Sequence, residues 1–285
     1  MKVLFLTQVV DPSSDLLGFV PSWIRALSRR VETLYVLAGR VRPCDLPANV
    51  EVASLGKETG RGRLARLARF YLGLRHAVNG GADLIFAHMN PEYVLAAAPV
   101  SPVPVVLWYT HTAVTARLKL AARLARRIVT ATPGSCRLPS RKVRVVGHGI
   151  DLSLFPPSPP PGSARILTVG RLDAVKDVET LIEGIALLRR TEPAARLVVA
   201  GDGPLRGKLE ALARERGVPA QFLGSVPYPE IPRLYRECDL FVSASRGALD
   251  KVILEAMASG RPAVACSEAA HGVVDAPFRF APGDA

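Results

Sequence analysis

Short apolar runs alternate with longer amphipathic stretches along this chain, and the alternation halts once, at the proline-dense residues 156–162 (PPSPPPG), before starting again. Such a run neither continues a helix nor enters a central strand. Strands separated by helical stretches need crossover connections, which build parallel sheets. The pattern predicts an α/β protein of two Rossmann-like, doubly wound sheets: a first domain over residues 1–155, a stiff linker over 156–162 and a second domain over 163–285. At about 100–200 residues per domain, 285 residues supply both. Ligands of open α/β sheets bind at strand carboxyl ends, so a cleft between two such domains is the expected seat of any chemistry.

In the first half, residues 2–7 (KVLFLT), 31–38 (VETLYVLA), 83–88 (DLIFAH), 103–108 (VPVVLW), 128–131 and 143–146 read as strands. Residues 19–27, 61–78 and 115–127 read as helices, the second with Leu64, Leu67, Ala68, Tyr71 and Leu74 near helical period. In the second half, strands over 165–169, 196–200, 220–223, 240–243 and 263–266 alternate with helices over 177–189, 205–216, 229–237 and 251–258.

Charge is distributed unevenly. Residues 1–155 carry 21 Lys and Arg against 9 Asp and Glu, while 156–285 carry 16 against 16, so the net +12 belongs to the first half. Such asymmetry marks either a surface that meets something anionic or arginine-rich helices that solvate a face. Cys44, Cys136, Cys238 and Cys266 lie far apart, as do the five histidines. Buried reduced thiols and no metal site are therefore expected. The first apolar run is too short for a signal peptide. The uncharged stretch 93–109 is broken by Pro99, Pro102 and Pro104. The expectation is a soluble cytoplasmic protein, at most peripheral at the inner face of a membrane. A nucleic-acid reading of the basic half finds no aromatic interleaving and no nucleic-acid module.

Three segments of the second half carry chemistry. Gly170-Arg171-Leu172-Asp173-Ala174-Val175-Lys176-Asp177 joins a strand to a helix. Gly170 permits a tight turn, and Arg171 and Lys176 stand beside a helix N-terminus that already favours anions, an arrangement suited to a diphosphate. Gly201-Asp202-Gly203-Pro204-Leu205-Arg206-Gly207 invites a dinucleotide-fold reading, but its spacing is G-x-G-x-x-x-G and the acidic residue after the next strand is missing. A tight turn into a helix accounts for it better. Finally, a small-residue loop after residues 240–243 opens a helix near Asp250, whose first-turn N–H groups can face a phosphate. Glu255, one to two turns in, is either an acceptor for sugar hydroxyls or a plain solvent-exposed carboxylate.

The ordered set GRLDAVKD, VVAGDGPLRGKLEALA, FLGSVPYPEIPRLYRECDLFVSAS and LDKVILEAMASGRPAVA resembles the donor-binding domain of family 4 retaining glycosyltransferases of GT-B fold. GHGIDLSLF upstream resembles that family's Asn-Gly-Val-Asp-x-x-x-Phe segment, with His148 in place of Asn. The resemblance is strong over 143–275 and weaker over 1–142.

It implies that Arg171 and Lys176 hold the donor pyrophosphate. It also implies that Gly170 and the backbone of Asp250, Lys251, Val252 and Ile253 approach the donor, and that Glu255 contacts the ribose. In the first half, Gly18 matches a loop glycine near the donor phosphates and His111 a histidine facing the transferred sugar, with a structural histidine as the alternative. The implied reaction moves a hexose from a UDP- or GDP-linked donor to a glycan or lipid-linked acceptor, with retention and with no cofactor or metal. No Asp-x-Asp occurs in the chain, and fixed cations would take a metal's place.

Two departures stand out. Gly247 replaces the family's sugar-holding glutamate, and the sequence stops before the C-terminal helices usual in the family, as either a short protein or a truncated one would. Both fit the rival reading, a sugar-nucleotide-binding or scaffolding homologue without turnover; a sugar epimerase of similar fold is a further rival. An anionic membrane surface is an expected partner of the basic half. Donor base, sugar, acceptor and oligomeric state stay open.

Overall fold

The N-terminal apolar run pairs on both sides, so it lies inside a sheet rather than at its edge. The computed structural model describes residues 1–285. Lys2–Val10 (β1) pairs in parallel with Thr33–Val41 (β2) and with Leu84–His88 (β4). Val50–Ser54 (β3) extends one side, and Val105–Trp108 (β5), Arg127–Thr130 (β6) and Val143–Val145 (β7) extend the other. The order is β3-β2-β1-β4-β5-β6-β7. Helices Val20–Ser28 (α1), Arg63–Asn79 (α2), Pro91–Ala97 (α3) and Ala116–Leu124 (α4) make the crossovers. Burial on both faces explains why β1, β2, β4 and β5 read as continuous apolar runs.

The second sheet joins Arg165–Val169 (β8), Arg196–Ala200 (β9), Ala220–Gly224 (β10), Leu240–Ser243 (β11) and Ala263–Ala265 (β12) in the parallel order β10-β9-β8-β11-β12. Val178–Leu188 (α5), Arg206–Glu215 (α6), Ile231–Glu237 (α7) and Lys251–Ala258 (α8) connect them. Val178, Leu181, Ile182 and Ile185 of α5 pack on Ile166, Leu197 and Val199 of the sheet. Strand order reverses between β1 and β4 in one sheet and between β8 and β11 in the other. Within each unit, the loops at the carboxyl ends of those strands lie where an open α/β sheet binds ligands.

Three expectations need correction. The two compact units are Met1–Gly147 and His148–Ala285, so the boundary precedes Phe155. Phe155 is buried in the second unit, against the rings of Tyr228 and Tyr235 at 6.2 and 5.9 Å. The proline-dense run is fastened to that unit too, because buried Arg261 donates to the Ser158 and Pro159 carbonyls and Ser158 N–H donates to the Ser259 carbonyl. Where the run ends, Asp239 accepts from the N–H groups of Gly162 and Ser163 and from the Ser163 hydroxyl. Burial alone would raise that carboxyl, but these bonds outweigh it and hold it below its ordinary value.

Secondly, β3 and α3 were not expected. Thirdly, α2 turns Phe70, Leu74 and Ala77 inward, while Leu64 is 84% and Leu72 67% exposed. The apolar positions expected to face the core at 64, 67 and 71 point to solvent.

Candidate functional site

Gly170 ends β8 with φ 151°, in the left-handed half of backbone space that favours glycine. The loop it opens lies directly against the loop after β9. A Cβ on Gly201 would stand 1.9 Å from the Gly170 carbonyl oxygen, and one on Gly203 would stand 2.4 Å from that of Leu172. The G-x-G pair of the second motif is thus explained by close backbone packing. Gly170 N–H donates to the Ala200 carbonyl and Leu172 N–H to that of Asp202, which fixes the 170–177 loop over the sheet.

That loop is tied to the one following β11. Arg246 N–H donates to the Val175 carbonyl at 2.9 Å, and the Arg246 guanidinium donates to Asp177 through Nε at 3.0 Å and also through Nη2. Asp177 precedes α5 in a left-handed conformation, φ 46°, of the kind that costs about 1–3 kcal/mol and persists only where surroundings enforce it. Arg246 and Thr180, both bonded to its carboxylate, supply that enforcement.

Lys176 reaches across the same gap, its Nζ 2.5 Å from Asp250 Oδ2. Asp250 stands at the N-cap of α8, yet its side chain caps nothing, having turned to the lysine instead. The Ile253 N–H donates to the Asp250 carbonyl, and the Val252 carbonyl accepts from the Tyr235 hydroxyl. Arg171 extends outward, more than half exposed, with Asp173 3.9 Å away.

Glu255 lies fully buried, which corrects the reading of it as an exposed carboxylate. Oε1 accepts from the Tyr228 hydroxyl at 3.0 Å and from Lys251 Nζ at 2.9 Å, and Oε2 accepts from the Tyr235 hydroxyl at 3.2 Å. Lys251 Nζ also sits 4.4 Å from the centre of the Tyr228 ring, within cation–π range. Burial, then the charge of Glu255, pushes both tyrosine hydroxyls well above their ordinary values, so they remain donors. His148, which stands where the family's Asn was expected, is half-buried within the electrostatic reach of Lys251, Glu255 and Asp250.

The structure therefore brings Gly170, Lys176, Asp250, Lys251 and Glu255 together in the second unit, with Arg171 at the rim. Sequence reasoning missed Tyr228, Tyr235, Asp177 and Arg246. Only contacts across many residues reveal them; Tyr228 is 27 positions from Glu255 and Asp177 69 from Arg246.

In the first unit, Gly18 lies buried in the turn between β1 and α1, at the β1/β4 reversal. His111 is on the other side of β4, beyond β5, exposed, with Nδ1 accepting from the Ala113 N–H at 3.0 Å. It lines a cavity of about 570 Å³ with Gln8, Asn90, Glu92 and Arg117. Arg117 donates to Glu92 at 2.8 Å, and Met89 holds φ 64° at the end of β4 beside that cavity.

Residues 163–285 match the protein family described as "Glycosyl transferases group 1". Over those residues the second unit is similar to group 1 glycosyl transferase domains. Among curated relatives, the chain is 29% identical over 207 residues to the sulfoquinovosyl transferase SQD2 of Arabidopsis thaliana, covering 65% of this chain and 38% of SQD2. It is 28% identical over 232 residues to the putative glycosyltransferase EpsF of Bacillus subtilis, covering 68% of this chain and 60% of EpsF. The chain thus spans less than two thirds of either relative. In fold it is similar to HepE of Anabaena, a crystal structure in complex with UDP and glucose, with a TM-score of 0.75 and 21% identity over 100% of this chain and 86% of that one. Both units share the parallel-sheet, Rossmann-like design of GT-B structures, and the part that matches the family holds the charged loops described above.

Proposed function

We propose that the protein transfers a sugar from a nucleoside-diphosphate donor, UDP- or GDP-linked, to a glycan or lipid-linked acceptor, with retention at the anomeric carbon. One observation carries this reading: Gly170, Lys176 and the start of α8 converge at the β8/β11 reversal of the part that matches the family. The departing diphosphate needs positive charge as its bond to the sugar breaks. Lys176, Arg171 and the first turn of α8 supply that charge as preorganised groups, and no cofactor is invoked.

The basic first unit meets the acceptor's surroundings. Residues 61–78 hold five arginines and no carboxylate, and α2 turns Leu64, Tyr71 and Leu72 toward solvent. A helix of this kind suits an anionic membrane surface. No helix of the chain is long and apolar enough to cross a membrane. Flotation with anionic but not neutral vesicles at low salt is expected; equal recovery with both overturns the membrane contact.

A second reading, donor binding without turnover, is favoured by Gly247 and by the carboxylate already seated on Lys176. Release of free UDP or GDP from donor and acceptor decides between them. The transferase reading expects release, lowered about 10²–10³-fold by Lys176→Ala. Donor binding with no release establishes the second reading, and no response of the melting temperature to any UDP or GDP compound removes both.

A further inference from the structure

A diphosphate needs unneutralised cations, yet each cation of these loops already has a carboxylate partner. Lys176 holds Asp250 at 2.5 Å, Arg246 holds Asp177, Lys251 holds Glu255 at 2.9 Å, and Arg171 stands 3.9 Å from Asp173. Three of the four carboxylates have other work or little hold on their cation. Asp177 accepts from Thr180 at the start of α5, Glu255 is buried under two tyrosine hydroxyls, and Asp173 lies at the edge of pairing distance and accepts from the Val175 N–H. Asp250 differs. It leaves α8 without a side-chain cap and spends its charge on Lys176. Both partners are about three-quarters buried, where a close pair is only weakly screened.

We propose that Asp250 is an internal competitor for Lys176, an affinity-setting residue that any nucleoside diphosphate must displace before the lysine can serve it. The inference rests on the proposed donor site. Lys176 lies folded over Gly170, so that a Cβ on that glycine would meet its Cε at 3.2 Å. Its ammonium is therefore held close to the loop, and an anion that reaches it meets the Asp250 carboxylate already seated there. A ligand oxygen that takes this place leaves the Asp250 carboxylate beside another negative charge, an unfavourable juxtaposition that lowers affinity until the carboxylate swings out. Asp250→Asn keeps the shape and removes the competing charge.

The test is calorimetric titration of the intact chain with UDP and with GDP. Asp250→Asn is expected to bind one of them about tenfold more tightly than the native protein, with a steeper loss of affinity as salt rises. The gain should vanish in the Lys176→Ala background, and Asp250→Glu, which can still pair, should stay near native affinity. A thermal melt confirms that each variant is folded. Native binding with no gain, or a loss, in Asp250→Asn overturns the inference and leaves the donor site standing. A gain that survives in Lys176→Ala also overturns it. Binding by Asp250→Asn where the native chain shows none supports it. If no variant binds either diphosphate, the donor-site reading fails and takes the inference with it.

Discussion

The two units repeat one architecture and finish it with opposite materials. At the β1/β4 reversal of the first, the ends of the strands are filled by rings: Phe19 and Trp23 lie 5.3 Å apart, Trp23 and Trp108 5.3 Å, and Trp23 and His88 5.4 Å. His88 is buried there and shares a 3.1 Å hydrogen bond with Thr7. At the β8/β11 reversal of the second, the corresponding loops are joined by ion pairs and by a buried carboxylate. Apolar packing is non-directional and tolerates a change of shape, whereas a buried charge depends on each partner. The first unit has thereby stabilised a fold around Gly18, and the second has kept charge in reserve.

The largest test of this contrast pairs two conservative changes. Glu255→Gln retains the outline of the side chain but strips the charge facing Lys251, and breaking a buried pair from one side costs about 3–5 kcal/mol. Phe19→Leu, which keeps an apolar side chain but gives up the ring contacts with Trp23 and His88, is expected to cost less, about 1–2 kcal/mol. Urea unfolding measures both. Comparable losses would show that the two reversals are held in the same way after all.

How far these differences can be read from the chain depends on the range of the interaction. Strands such as Arg165–Val169 and Leu240–Ser243 carry their own apolar signal and fall where the periodicity puts them. Val50–Ser54 does not, because as an exposed edge strand it buries almost nothing and includes Glu51. Pro91–Ala97 starts on a proline and ends in alanines, so its helix is lost among the neighbouring prolines. The 61–78 helix was legible as a helix but not in its facing, since two apolar stripes compete on its surface and only tertiary packing chooses Phe70, Leu74 and Ala77. In the site, Lys176 and Glu255 are legible as charges on a loop and a helix. Their neutralisation is not, because Asp250 lies 74 positions from Lys176 and Tyr235 lies 20 from Glu255.

A change of intermediate size probes the donor sugar. Gly247 is half-buried, outside the left-handed region, and a Cβ there would meet only ordinary contacts, Val175 Cγ1 at 3.4 Å and Ser245 Oγ at 3.6 Å. Nothing in the backbone demands glycine. Gly247→Glu should therefore fold normally and add a charged hydrogen-bond acceptor, worth about 1.5–3 kcal/mol to a sugar hydroxyl. Affinity for a donor sugar nucleotide is expected to rise about tenfold or more, while affinity for the bare diphosphate stays level. A parallel rise in both would show that residue 247 does not face the sugar.

The smallest effect concerns His148 and separates charge from packing by pH alone. Burial pushes its imidazole below its ordinary value; Lys251 adds to that, while the Gly149 carbonyl, Glu255 and Asp250 pull the other way without prevailing. The unfolded chain therefore takes up this proton before the folded one does. Stability is full above the ordinary imidazole value near 6.5, declines as pH falls through it, and levels off below the depressed folded value. His148→Gln removes the titrating group and should flatten the melting temperature between about pH 7 and 5, while Asp239 and the other carboxyls held low act only in more acidic solution. His88, closed in by Phe5, Phe19 and Trp23, provides the control from the other unit. Its substitution should lower the melt through lost packing. If His148→Gln leaves the pH slope of the native protein unchanged, the charge balance around Lys251 and Glu255 is not what distinguishes the second unit from the first.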